Sequence, residues 1–167
     1  PTLTITSSKS ALKSGETATV TFTFSEAVSG FTASDITATG GTISNFAVSS
    51  TDSKVYTATF TPTANTDTTT ASITVAASSY ADTAGNAGGA GTTPTLTFDT
   101  KAPTVTITSS TDTVSYSASS ATTSTITFTF SEAPTSFATS NVTVSGGSLS
   151  GLTKVSNTVY TATFTPD

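Results

Sequence analysis

Over residues 18–24 the chain alternates without a break: Ala18, Val20, Phe22 and Phe24 are apolar, and Thr19, Thr21 and Thr23 lie between them. A period of two marks a strand with one buried and one wet face. Threonine, polar yet β-branched, suits the wet face. The alternation recurs along the first hundred residues. Leu3 and Ile5 mark strand A, and 18–24 is strand B. Ile36 and Ala38 mark C, which ends at Gly40-Gly41. Ile43, Phe46 and Val48 mark a less regular D. Tyr56, Ala58 and Phe60 mark E, stopped by Pro62. Ala71, Ile73, Val75 and Ala77 mark F, and Leu96 and Phe98 mark G. No helical period of useful length appears. Seven short strands separated by turn residues predict an all-β fold, an immunoglobulin-like β-sandwich.

The pattern is then written a second time. PTLTITSS at 1–8 returns as PTVTITSS at 103–110, and TFTFSEA at 21–27 returns at 127–133. Gly40-Gly41 returns as Gly146-Gly147, and YTATFTP at 56–62 returns at 160–166. Order is kept and the offset stays between 102 and 106, with four residues inserted before Ile126. A period near 100 residues is the size of a whole domain. The sequence therefore predicts tandem sandwiches: domain 1 over 1–99, a short linker over 100–103 stiffened by Pro103, and domain 2 over 104–167. Stacked end to end, they are expected to form a rod with limited bend.

Domain 2 repeats strands A to E only, at Val105/Ile107, Ile126/Phe128/Phe130, Val142/Val144, Leu149/Leu152 and Tyr160/Phe164. Without F and G, strand C would stand alone in its sheet and the inward phenylalanines would lie open. Each large apolar side chain left exposed forfeits roughly 1.5–3 kcal/mol. The expectation is that the sequence is cut short or that another chain donates the missing strand.

Composition narrows the function. Thr and Ser make up about 44% of the chain, charged residues 9%, and the net charge is −5. No clustered Lys/Arg is present to hold nucleic acid or an anionic membrane, and no apolar run is long enough to span a bilayer. Cys, Met, Trp and His are absent, which removes disulfides, thiolate and imidazole metal sites and imidazole catalysis. The Thr/Ser/Gly bias without Cys fits a bacterial exported protein that folds without oxidative help. Pro1 opens no signal peptide, so the sequence is expected to begin inside a longer protein or to be exported by another route.

Candidate chemistry lies in the carboxylates. In a sandwich of this topology the B–C, D–E and F–G loops return to the N-terminal end. That end of domain 1 collects Glu26 and Asp35 from B–C, Asp52 from D–E, and Asp82 and Asn86 from F–G. Carboxylate and amide oxygens are the hard ligands Ca²⁺ prefers, and unneutralised carboxylates repel one another. The far end offers Glu16, Asp67 and Asp99, and domain 2 offers Glu132 and Asn141 in the places of Glu26 and Asp35. A Ca²⁺ ion at that junction would lock the linker. The competing reading is solvated loop carboxylates, with Asp35 and Asp82 capping turns. Asp52 has no acidic counterpart in residues 154–157, and Asn141 carries less charge than Asp35.

Other chemistries find little support. The glycine-rich 79–91 opens no helix and is followed by no Lys-Ser/Thr, so it is not a phosphate cradle; a flexible F–G loop is expected. The Thr-X-Thr runs resemble ice-binding ladders, but a twisted sandwich spoils the regular spacing. A carboxylate pair such as Glu26 and Asp82 lacks pocket aromatics for acid–base work. A Lys–Asn crosslink through Lys9, Lys13, Lys54 or Lys101 has no supporting motif.

FTFSEA (22–27), SDIT (34–37), GGTISNF (40–46), YTATFTP (56–62), ADTAGN (81–86) and DTKAP (99–103) together resemble the bacterial Ig-like repeats of giant secreted adhesins, over nearly the whole chain. The resemblance implies long arrays of similar domains, export to the cell surface or medium, roles in attachment and biofilm, and calcium at or near domain junctions. Asn141 and the acid-poor second domain depart from that pattern. The expected function is a non-catalytic spacer that extends an adhesive tip, its partners being neighbouring repeats of the same chain. Two alternatives are a filament or sheath subunit completed by strands from other copies, and a glycan- or protein-binding module. For the last, Tyr80 and Phe31 are the only aromatic residues expected at a tip.

Overall fold

The computed structural model describes residues 1–117 and 120–167. It divides into unit 1, Pro1–Ala102, and unit 2, Pro103–Asp167. Among the described residues there is no α-helix. The architecture is that of tandem Ig-like β-sandwiches, the first with both sheets and the second with one.

In unit 1 the strands are β1 Leu3–Ser7, β2 Ala11–Lys13, β3 Ala18–Phe24, β4 Val28–Ser29, β5 Ile36–Thr39, β6 Gly41–Val48, β7 Val55–Pro62, β8 Thr69–Val75, β9 Ala81–Asp82 and β10 Leu96–Asp99. One sheet runs β1-β3-β7-β6, the facing sheet β2-β10-β8-β5, and β4 and β9 form a small ribbon. The apolar members of each alternation point inward. Leu3, Ile5, Val20, Phe22, Phe24 and Phe60 of the first sheet meet Leu12, Ala71, Ile73, Val75, Leu96 and Phe98 of the second in one core. The threonines between them carry the opposite face, which is why so few charges suffice to keep the sheets wet.

The first strand changes sheets. β1 pairs antiparallel with β3, Leu3 opposite Phe24, and β2 then pairs parallel with β10, Ala11 opposite Thr97. The sequence analysis did not separate β2, because a three-residue strand with one apolar residue, Leu12, shows no period. Strand F ends at Val75, not at Ala77: Ala77 is exposed, and the amide of Ser78 donates to Gly88 O, 2.9 Å away.

Gly40-Gly41 has two separate jobs. Gly40 takes φ of 78° at the turn into β6, a region side chains with a Cβ disfavour. A Cβ on Gly41 would run into the Phe60 ring and Thr61 O across the ladder. Gly146 and Gly147 repeat this, with φ of 73° at Gly146 and Phe164 and Thr165 O beside Gly147.

Unit 2 contains β11 Val105–Ser109, β12 Ser124–Phe130, β13 Gly147–Lys154 and β14 Val159–Pro166 in the order β11-β12-β14-β13. Its register copies unit 1: Val105 faces Phe130 as Leu3 faces Phe24, and Ser124 faces Phe164 as Ala18 faces Phe60. Even the bulge is kept, between Ser44 and Ala47 on β6 and between Ser150 and Thr153 on β13. Its positive φ falls on Asn45 (52°) in one unit and Gly151 (64°) in the other, the residue types that tolerate that region.

The expected strand C at Val142/Val144 is not formed: these residues have no ladder partner. In unit 1 the matching strand, β5, pairs only with β8, and no counterpart of β8 occurs within the 167 residues. The counterpart of β2, which pairs only with β10, is likewise not a strand.

Candidate functional site

The two aromatic residues expected to mark an exposed binding tip are inside the fold. Phe31, on the segment between β4 and the 3₁₀ turn Ala33–Asp35, is buried. Its ring centroid lies 5.0 Å from Phe24, 5.2 Å from Tyr56, 5.4 Å from Phe46 and 5.5 Å from Phe22, mostly edge to face, a favourable arrangement for aromatic quadrupoles. Phe31 therefore plugs the open end of the sandwich. Phe137 does the same in unit 2, 5.1 Å from Phe128, 5.0 Å from Phe130 and 5.2 Å from Tyr160. Its recurrence at the repeat offset was the available sign of a packing role.

Tyr80 is buried against Phe24, centroids 4.8 Å apart, and its hydroxyl donates to Gly89 O at 2.7 Å. Burial pushes its phenol pKa up. Around it the glycine-rich 79–91 is a built structure and not the loose loop expected. Gly88 N donates to Tyr80 O at 2.9 Å, Gly89 N to Pro1 O at 3.0 Å and Gly91 N to Val75 O at 3.0 Å. A Cβ at Gly88 would enter the Tyr80 ring, and one at Gly91 would meet Leu3 and Ile5. The glycines allow the chain to lie flat on the aromatic and on β1.

Asp82 organises the middle of this segment. It is 8% exposed. Its Oδ1 accepts from the amides of Ala84 (2.9 Å) and Asn86 (2.8 Å), and its Oδ2 from Asn86 Nδ2 (2.7 Å). The Asn86 side chain and these backbone donors hold the carboxyl below the usual carboxylate range, because they bond the charged form. Of the five oxygen-bearing residues expected at this end, Asp82 and Asn86 are the pair that touch.

The others are taken up locally. Asp35 Oδ2 accepts from the amide of Thr32 at 2.7 Å and from its hydroxyl at 2.9 Å, closing the short 3₁₀ turn. Asn141 closes the matching turn, Thr139–Asn141, through Oδ1 and the amide of Ala138 at 2.9 Å. The acid and the amide thus do one job, for which only an acceptor oxygen is needed. Asp52 Oδ1 accepts from Lys54 N at 2.9 Å. Glu26 is 53% exposed, with Oε1 3.5 Å from the Pro1 amino group, and Glu132 is partly exposed.

At the opposite end of unit 1, Glu16 pairs with Lys9 Nζ at 3.1 Å and accepts from Lys13 N at 3.2 Å. The Lys13 amide first, and the Lys9 ammonium second, lower its pKa. Asp67 pairs with Lys101 Nζ at 2.9 Å. Asp99 accepts from the Thr68 hydroxyl at 2.7 Å and from Lys101 N at 3.2 Å. Thr100, buried beside them, donates its hydroxyl to Thr63 O at 2.6 Å and accepts from Thr66 N at 3.0 Å.

A calcium site asks for about six to eight oxygens converging at 2.3–2.6 Å. Among the described residues no three carboxylates come together as a metal-holding group. Asp35, Asp82, Asp52, Glu16, Asp67 and Asp99 each already accept bonds from donors of their own unit. The residues within unit 1 do not fit a calcium cage; they fit the turn-capping reading. Lys9 and Lys101 are engaged in ion pairs with carboxylates, and neither approaches an asparagine in a crosslinking arrangement. No helix among the described residues is long and apolar enough to cross a membrane.

None of the curated proteins compared with the chain matches it. A sequence model described as a bacterial Ig-like domain matches it twice, over residues 1–98 and again over 99–167. With two copies of one strand register and one aromatic plug on the page, the conclusion follows that this chain belongs to the family of bacterial Ig-like domains.

Proposed function

We propose that this chain is a spacer segment of a bacterial cell-surface or secreted adhesin, one that extends an adhesive tip for attachment and biofilm formation. The observation that supports this is how the polar and aromatic groups at the tip of unit 1 are spent. Phe31 and Tyr80 close the core, and Asp35, Asp52 and Asp82 tie turns. Such groups serve the durability of each repeat. Its partners are then the neighbouring repeats of the same polypeptide, and its mechanism is mechanical. Two ladders anchored by the long strands β3 and β7 carry the load, and hydrogen-bonded loops keep the ends closed. Because the carboxylates already have donors, the reading assigns rigidity to packing and Pro103 and not to Ca²⁺.

Two measurements test this. Pulling the whole chain by its ends should give a force peak for unit 1 with a length gain of about 330–360 Å for some 100 residues, with the same force in Ca²⁺ and in EDTA. A peak that appears only with Ca²⁺ returns the junction carboxylates to the leading role. Antibody against unit 1 should label intact cells that make the protein; labelling only after lysis removes the surface spacer.

A second reading, a filament subunit completed by other copies, is favoured by the exposed apolar face of unit 2. The binding-module reading has lost its two aromatic candidates to the core.

A further inference from the structure

In unit 1 two strands lie between β2 and β5, in the order β2-β10-β8-β5. Unit 2 holds the counterparts of both flanks but, among the described residues, no strand between them. Val114 stands at the place of Leu12, and residues 142–144 at that of 36–38. A cleft of about 470 Å³ includes Val114, Ile126 and Phe164 in its walls. A second, of about 220 Å³, includes Phe128, Val142 and Val144, and again Ile126 and Phe164. The clefts therefore share a floor and run from one unpaired flank to the other. In unit 1 the matching floor residues, Val20 and Phe60, are wholly buried in the core that β8 and β10 complete.

We propose that this open face of unit 2 is a receptor for the F–G half of another copy of the repeat. The occupant is a strand pair of the β8–β10 kind. One strand would run antiparallel to residues 142–144, as β8 does to β5, and the other parallel to residues 113–115, as β10 does to β2. The two flanks identify the occupant. Neighbouring strands sit about 4.7–4.9 Å apart, and unit 1 needs two of them to join these same flanks. A single added strand would satisfy one flank and leave the other unpaired. Side-chain chemistry agrees: Ala71, Ile73, Val75, Leu96 and Phe98 present an uncharged inward face, and the walls of the receptor's floor and margins named above are apolar. This holds whether or not the chain is a surface spacer.

The test uses the whole 167-residue chain, isotope-labelled, titrated with an unlabelled peptide of the sequence 63–100. A one-to-one complex is expected. Exchange of the amides of 142–144 and 113–115 should slow about tenfold or more, with unit 1 unchanged. A peptide of 63–77, carrying β8 alone, should protect 142–144 at least about tenfold less. Val144→Asp, at the partly exposed margin, should abolish uptake while the β12–β14 ladder stays protected. The proposal is overturned if the long peptide leaves 142–144 unprotected, or if the short one does as well as the long. It is equally overturned if the peptide enters only unit 1, or if the chain protects the face by dimerising without peptide.

Discussion

Leu3 and Ile5 are 4% and 3% exposed, whereas Val105 and Ile107, at the same places in the same motif, are 46% and 58% exposed. The strands that carry them have the same length, the same neighbour and the same register. What differs is the sheet opposite: β2-β10-β8-β5 covers unit 1 and has no equivalent in unit 2. Alternation therefore specifies a strand and the face it offers. Burial, and with it most of the stabilisation, belongs to the partner layer. The strands divide along the same line. Those that pair within the first sheet form in both units, and those that need β8 or β10 form only in unit 1.

The comparison can be broken most sharply at its largest side chain. Phe60→Ala should destabilise unit 1 by about 3–5 kcal/mol, the usual cost of emptying a core aromatic site. Phe164→Ala in unit 2 should cost less than half of that, because Phe164 is already partly exposed. Hydrogen exchange of the β3 and β12 amides reads each unit separately. Equal losses would mean that unit 2 has a cover the fold does not show.

Next in size are the first strands. Ile5→Ala should cost about 2–5 kcal/mol and Ile107→Ala within about 0.5 kcal/mol, measured the same way. The F–G segment gives a third contrast, since unit 1 alone possesses it. Gly88→Ala should cost about 1–3 kcal/mol by overpacking, as the new methyl meets the Tyr80 ring, and the environment of Tyr80 should shift in its near-ultraviolet signal. Unit 2 should not respond.

Acid should also separate the units. The folded pKa of Asp82 lies below its ordinary value. Its contribution is thus fully present above about pH 4, the unfolded range for Asp, and is lost as pH falls through the folded value. Urea midpoints of unit 1 should drop between pH 5 and pH 2, and less so in Asp82→Asn, which keeps one acceptor oxygen and has no charge to lose. Smallest of all should be Asp35→Asn, within about 0.5 kcal/mol, because Asn141 already performs the same closure in unit 2. A loss above 1 kcal/mol would show that the charge of Asp35 does something the amide cannot.

Much of this fold was legible in the chain. The alternation at 18–24 and 56–60 is strict enough to name β3 and β7, and the repeated Gly-Gly pair marked the turn into β6 and β13. The site was less so. Asp82 and Asn86 were correctly placed on one loop, but spacing alone does not say whether a carboxylate faces a cation or the amides two and four residues on. Phe31 and Tyr80 sit in polar, turn-rich stretches, where an isolated aromatic residue reads equally as an exposed contact or as a plug. β2, β4 and β9 are too short to carry a period.

By itself, then, the sequence determined the local terms: which segments extend, which face of each is apolar, where glycine must relieve the backbone, and that one repeat occurs twice. These follow from side-chain volume, polarity and φ preference, which act within a few residues. Only the tertiary structure decided which of those faces is covered, which carboxylates find donors, and whether residues 36–39 and 142–144, so alike in pattern, become a strand. A strand's hydrogen bonds are completed by a neighbour that can be forty residues away or absent, and no local pattern encodes that neighbour's presence.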